Sequence, residues 1–173
     1  SLEDGRSLVV MDAPPDKEDV APYLRVSALL EGCGLHVPAV HAVDTARGFV
    51  LLEDLGRTHL LTRLGDGAPA DELYGSALDA LAVLQLRGAA AALELPRYDA
   101  PVLQREMALM PEWFLARHLG IDSGDRMREM LAQAFAFLTQ EALAQPRVFV
   151  HRDYHSRNLM VLPGRSPGII DFQ

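Results

Sequence analysis

The sequence predicts an α+β chain: a small antiparallel β-rich part, then a helical part, with a polar cluster set between short strands at the end. Three observations carry this. Short β-branched and aromatic runs divided by turn residues fill the first fifty-odd positions. Beyond Gly56 the apolar residues recur at helical spacing instead. From Val148 the run "VFVHRDYHSRNLMVLPGRSPGIIDFQ" packs charged and amide side chains between brief apolar segments.

Taken in order, Asp4-Gly5 is a type I′ turn pair, and Ser7 to Met11 follows it as a strand. Pro14-Pro15 blocks both helix and ladder. Asp16 is placed to cap a helix in which Val20, Tyr23, Leu24 and Ala28 share a face, with Pro22 inside its first two turns and Gly34 as its stop. Ala39 to Val43 and Phe49 to Glu53, around a turn at Gly48, read as half-buried strands of one antiparallel sheet. Leu73, Ala77, Ala80, Leu81 and Leu84 mark a helix. Val102 to Leu119 marks a second, interrupted by Pro111, and Met127, Met130, Leu131, Ala134 and Leu138 mark a third whose stripe is expected to be core. "GDGAP" and "LGIDSGD" are the loops between them. The expected domains are 1–55, a partial N-lobe with a hinge near 53–56, and 56–173, a partial C-lobe.

Composition narrows the function. The 173 residues are 49% hydrophobic, enough to bury a core. A net charge of −8 argues against a nucleic-acid or anionic-membrane partner, which calls for a basic face. Cys33 stands alone, so no intrachain disulfide forms and a reducing compartment fits. No apolar run reaches membrane-spanning length and no signal sequence opens the chain, so the expected location is cytoplasmic. Lys17 is the only lysine among 16 cationic residues.

The terminal run carries the chemistry. Val148 to Val150 reads as a strand leading to Asp153. Leu159 to Leu162 and Gly168 to Ile170 read as a hairpin about the "PGRSPG" turn. That hairpin brings Asn158, at its start, near Asp171, at its end. An amide oxygen and carboxylates at one rim suit Mg²⁺, and a carboxylate that is not a ligand can orient a hydroxyl and take its proton. Capping and turn formation is the other use of Asp and Asn in such places. His151, Asp153 and His155 also form an H-x-D-x-H string, a metallohydrolase pattern.

"HRDYHSRN" followed by "IIDFQ" resembles the catalytic loop and metal-binding strand of protein-kinase-like enzymes. Its form is similar to the aminoglycoside phosphotransferase and choline kinase family. Within that family "VVMDAPPDKED", "LLEDLG", "PEWFLARHLG" and "GIIDFQ" resemble the bacterial amino-sugar kinases of cell-wall recycling, which phosphorylate the anomeric hydroxyl of N-acetylmuramate or N-acetylglucosamine. The resemblance implies a two-lobed kinase fold, present in part, with ATP and Mg²⁺ as cofactors. Asp153 is then the catalytic base, His155 a donor near the transferring phosphate, and Asn158 and Asp171 the metal ligands. His151 and Arg152 brace the loop, and backbone groups of Glu53 and Leu55 meet the adenine. The implied partner is a small amino sugar, with neither nucleic acid nor membrane involved. Alternatives are another small-molecule kinase, an aminoglycoside kinase among them, or a pseudokinase that binds nucleotide without turnover.

Two departures from the family pattern stand out. The glycine-rich hairpin that covers the phosphates would precede Ser7, and the strand "SLVVMDA" has no lysine for them. The helices that complete the large lobe would follow Asp171. The expectation is a part of a longer protein, monomeric when whole and prone to association when its apolar faces are uncovered.

Overall fold

A computed structural model describes residues 7–164 and 167–172. The Asp4-Gly5 turn, and Arg165 and Ser166 of the second predicted turn, lie outside the described residues. The chain forms two compact units, Ser1–Leu93 with Val148–Gln173, and Glu94–Arg147. No helix among the described residues is long and apolar enough to cross a membrane. The architecture is α+β, as the sequence predicts.

In the first unit, strands β1 (Leu8–Asp12), β2 (Val40–Asp44) and β3 (Phe49–Glu53) form an antiparallel sheet of order β1-β3-β2. β1 pairs with β3 from Leu8 opposite Glu53 to Asp12 opposite Phe49, and the β2 ladder shifts register between Val40 and Ala42. Only the central β3 alternates as a half-buried strand should; β2, expected to be half-buried, is largely exposed because it is an edge strand. Val50 and Leu52 of β3 pack with Ala13 and Val20, and Met11, Tyr23 and Leu24 close over them. Burial of each large apolar side chain there contributes roughly 1.5–3 kcal/mol.

Helix α1 (Ala21–Gly32) begins later than Asp16 suggested. Asp19, rather than Asp16, meets its first turn, accepting from the Ala21 N–H at 2.9 Å. Pro22 therefore sits in the opening turn, where its missing N–H costs nothing. The buried face is Val26, Ser27 and Leu30, while Ala28 is exposed. Gly34 lies just beyond the helix at φ +85.

The turn between β2 and β3 has a strict requirement. Gly48 has φ +76, and a Cβ there would lie 1.9 Å from the Ala13 carbonyl oxygen. The Ala13 N–H donates to the Gly48 carbonyl at 2.9 Å, so neither backbone can retreat without losing that bond. Gly48→Ala is expected to destabilise the fold by about 2–3 kcal/mol, through the left-handed penalty and the displaced bond. That corresponds to a melting temperature lower by roughly 5–10 °C. A melt within about 2 °C of wild type would show that the turn can shift to admit a side chain.

The first unit continues with α2 (Leu60–Gly65), which sequence reasoning missed, and α3 (Ala70–Arg87), which buries Ala77 and Leu84. It ends with a two-stranded hairpin of β4 (Leu159–Met160) and β5 (Gly168–Ile169). Val148 to Val150, expected to be a strand, pairs with no strand among the described residues; within it Phe149 is buried beside Gly88 at the end of α3.

In the second unit, α4 (Ala100–Leu109) is capped by Asp99, whose carboxylate accepts from the Val102 N–H. Pro111 does not end the helical path. It opens a π-helical segment, Met110–His118, in which the Leu119 N–H reaches back to Phe114. A proline can neither donate to the preceding turn nor avoid crowding its carbonyl, and a wider turn accommodates both. Trp113 is half exposed with the Arg117 guanidinium 3.9 Å over its ring. Helix α5 (Asp125–Leu143) also departs from expectation. Met130 is 60% and Leu138 51% exposed, so its methionine-leucine stripe is not core. Helical periodicity reports an apolar face without saying what covers it.

Candidate active site

The site begins where the chain turns out of buried surface. His151 is 3% exposed and lies edge-on to Tyr154, with ring centroids 5.5 Å apart. Tyr154 donates through its hydroxyl to the Ala77 carbonyl at 2.6 Å, and burial pushes its pKa up to about 12. It is therefore a fixed donor that ties the loop to α3. Between the two rings Arg152 adopts φ 73, a left-handed turn that redirects the chain toward Asp153.

Burial holds the His151 imidazolium down, below the ordinary histidine value. The carboxylates of Asp153 and Asp171 and the Ile170 backbone pull the other way without reversing it. Neither ring nitrogen has a partner at full hydrogen-bonding distance among the described residues. Folding thus favours the neutral ring, and its contribution to stability is complete above about pH 6.5 and lost as pH falls toward the depressed folded value. The urea midpoint of wild type should fall between about pH 7.5 and 5, and His151→Gln should flatten that slope. An unchanged slope would mean that the ring is protonated or relieved in the fold.

Beyond Arg152 the loop folds on itself. The Asp153 carbonyl accepts from the His155 N–H at 3.1 Å and from Asn158 Nδ2 at 3.1 Å. The Asp153 carboxylate lies 3.1 Å from His155 Nε2. The Leu61 N–H donates to Ser156, and His59 Nδ1 lies 2.6 Å from the Arg157 carbonyl, so the start of α2 holds the loop from outside.

The hairpin then does what its sequence implied. Leu159 faces Ile169, and the Ile170 N–H donates to the Asn158 carbonyl at 3.0 Å. Asn158 Nδ2 sits 3.3 Å from Asp171 Oδ2. Gly168 lies close under two leucines: a Cβ would approach Leu55 Cδ1 at 2.8 Å and Leu162 Cδ1 at 2.9 Å, so those side-chain ends would have to shift to admit one. Asp171 adopts φ 58, and the next residue, Phe172, stacks on Tyr23 of α1 at 5.1 Å and 12°. The carboxylate is thus presented from a left-handed corner whose far side is anchored to α1.

The residues fit a hard cation. Asn158 spends Nδ2 on both of its side-chain bonds, so its amide oxygen has no protein partner among the described residues. That oxygen and the Asp171 carboxylate are the donor types Mg²⁺ takes, with remaining positions left to water and phosphate oxygens. No group of three or more His, Cys, Asp or Glu side chains is placed to hold a metal among the described residues.

Opposite lies the segment after β3. The Glu53 N–H donates to the Ala39 carbonyl at 2.9 Å, and its carboxylate accepts from the Ala39 N–H and lies 3.5 Å from His36 Nε2. Asp54 closes a tight turn, accepting from the Gly56 N–H at 2.8 Å and from the Ser7 hydroxyl at 2.5 Å. These bonds, Ser7 first, hold its carboxyl below the usual carboxylate range. Leu55 is buried, and its N–H makes no backbone hydrogen bond among the described residues. A cavity of about 920 Å³ runs from β1 and α1 past Glu53 and Leu55 to Asn158 and Asp171. That is within the roughly 300–1,000 Å³ of small-ligand sites.

The structure therefore brings together Asp153, His155, Asn158 and Asp171, and sets Glu53 and Leu55 in the same cavity as the last two. Sequence reasoning missed the supports. Asp54 was given no role, although an aspartate two residues before a glycine is a turn signal. The roles of His36, His59 and Tyr154 depend on partners far along the chain, and no local pattern announces them.

The phosphotransferase enzyme family matches residues 1–173. The N-acetylmuramate/N-acetylglucosamine kinase of Pseudomonas aeruginosa is 51% identical over 97% of this chain and 48% of its own length. Its namesake from Neisseria meningitidis is 43% identical over 100% of this chain and 51% of its own, and that of Pseudomonas putida 42% over 98% and 49%. The chain spans about half the length of these curated relatives.

Proposed function

The chain belongs to the phosphotransferase enzyme family, and on that premise we propose that its protein moves the γ-phosphate of ATP to a small-molecule hydroxyl, the anomeric hydroxyl of N-acetylmuramate or N-acetylglucosamine. The observation that carries this reading is the convergence of Asp153, Asn158 and Asp171 through one loop and one hairpin, beside a cavity of nucleotide size. In it Asp153 orients the acceptor hydroxyl and takes its proton, and His155 holds that carboxylate in place through Nε2, while its Nδ1 accepts from the Arg157 N–H and leaves no ring donor for the phosphate. Asn158 and Asp171 hold Mg²⁺, which supplies charge neutralisation on the phosphates. Glu53 and Leu55 receive the adenine through backbone groups, at a hinge dividing lobes 1–55 and 56–173. The names of the relatives support the choice of acceptor.

The test is transfer from ATP and Mg²⁺ by the full-length gene product, offered N-acetylmuramate, N-acetylglucosamine and an aminoglycoside. Phosphorylation of the two amino sugars at the anomeric position is expected. Transfer only to the aminoglycoside would move the acceptor assignment, and nucleotide binding without any transfer would favour a module that binds without turnover. One feature favours that second reading: β1 carries no lysine.

A further inference from the structure

We propose that Arg157 is the residue that pairs with the phosphates of the bound nucleotide, supplying the cation that β1 lacks. The inference rests on the nucleotide reading above.

Charge is the first reason. Five carboxylates line the cavity, Glu18, Asp19, Glu53, Asp54 and Asp171. A nucleoside triphosphate brings about three to four more negative charges into a site where each like-charge contact is costly. One divalent cation offsets only part of this. β1 contributes Val9 and Met11 to the lining, both apolar, and Lys17 does not line the cavity. Among the described lining residues the only arginine or lysine is Arg157.

Its surroundings suit the task. The Arg157 backbone is fixed at both ends: its N–H donates to His155 Nδ1 at 3.3 Å, and its carbonyl lies 2.6 Å from His59 Nδ1. The next residue is Asn158, so the arginine is anchored immediately beside the proposed metal ligand. Its side chain is exposed and forms neither an ion pair nor a hydrogen bond among the described residues, although five acids line the same cavity. A rigid backbone carrying an uncommitted guanidinium is the arrangement that phosphate recognition uses, since the planar fork can bind two phosphate oxygens at once.

The experiment measures binding of adenosine, AMP and ADP, each with Mg²⁺, to the full-length wild type and to Arg157→Ala and Arg157→Lys. Arg157→Ala should weaken ADP by about 10- to 100-fold and leave adenosine within about twofold, with Arg157→Lys recovering part of the loss. In turnover the KM for ATP should rise while the KM for N-acetylglucosamine stays. Equal loss of adenosine and ADP would overturn the proposal in favour of a structural role. So would unchanged ADP affinity. A loss confined to N-acetylmuramate, the acceptor with a carboxylate, would overturn it by assigning the guanidinium to the sugar. If wild type binds neither adenosine nor ADP, the nucleotide reading itself fails, and that result is distinct from any defect of the variants.

Discussion

Asp153→Asn is expected to lower kcat for phosphate transfer by about 10³-fold while leaving the melting temperature within about 2 °C of wild type. The two halves follow from different atoms of one residue. What the fold takes from Asp153 is its carbonyl, which accepts from the His155 N–H and from Asn158 Nδ2. An asparagine keeps that carbonyl and the shape of the side chain. What the proposed reaction takes is the carboxylate, which is half exposed and lies 3.1 Å from His155 Nε2. An amide cannot accept the acceptor's proton, and base catalysis is worth about 10²–10⁴-fold. KM for ATP should stay within about threefold, because the proposed nucleotide contacts lie on other residues. Single-turnover transfer, a thermal melt and ADP binding, all on the full-length gene product, check the three statements. Transfer within tenfold of wild type would remove Asp153 from the role of base. A collapse of the melt would mean that its ion pair with His155 holds the loop.

The range of the interactions that build this site decides which parts of it are legible in the sequence. Asn158 and Asp171 could be placed together because a hairpin fixes its own register, and Leu159 opposite Ile169 puts the flanking residues side by side. β3 was legible for a similar reason, since its alternation records a central strand with one face inward. Edges and caps were less legible. β2 has the composition of a buried strand but lies at an edge, and α1 opens at a proline that looks misplaced only if Asp16 is taken as the cap. The α5 stripe failed for the opposite reason, because its pattern was strong but what covers it was not encoded in it. At the site the sequence displayed the groups that could react and hid those that hold them. Tyr154 with Ala77, and His59 with Arg157, are separated by 77 and 98 positions, so only the fold brings them together.

Asp171→Asn and Asp171→Ala should divide the two things this residue does. At φ 58 the backbone is in the left-handed region, which Asp and Asn tolerate better than Ala does. The corner cannot relax freely, because Ile170 before it is bonded to the Asn158 carbonyl and Phe172 after it is stacked on Tyr23. Asp171→Asn should therefore melt within about 2 °C of wild type, whereas Asp171→Ala should lose about 1 kcal/mol, or roughly 2–4 °C. In catalysis the order changes. Both variants remove the one carboxylate proposed to hold Mg²⁺ and leave only neutral amide oxygen, that of Asn158 in the alanine variant and one more at position 171 in the asparagine variant, too weak a donor set to replace it. Each should lower kcat by about 10²–10³-fold and raise the Mg²⁺ concentration for half-maximal transfer by more than about tenfold. Equal melts for the two variants would show that the corner stores no strain. A Mg²⁺ dependence left unchanged in Asp171→Asn would take the metal away from this residue. Strain and catalysis are separable here because the neighbours that hold the corner are not the groups proposed to meet the phosphate. Packing of Phe172 on α1 holds one side of the corner, and the proposed metal site lies on the other, where Asp171 lines the cavity alongside Asn158.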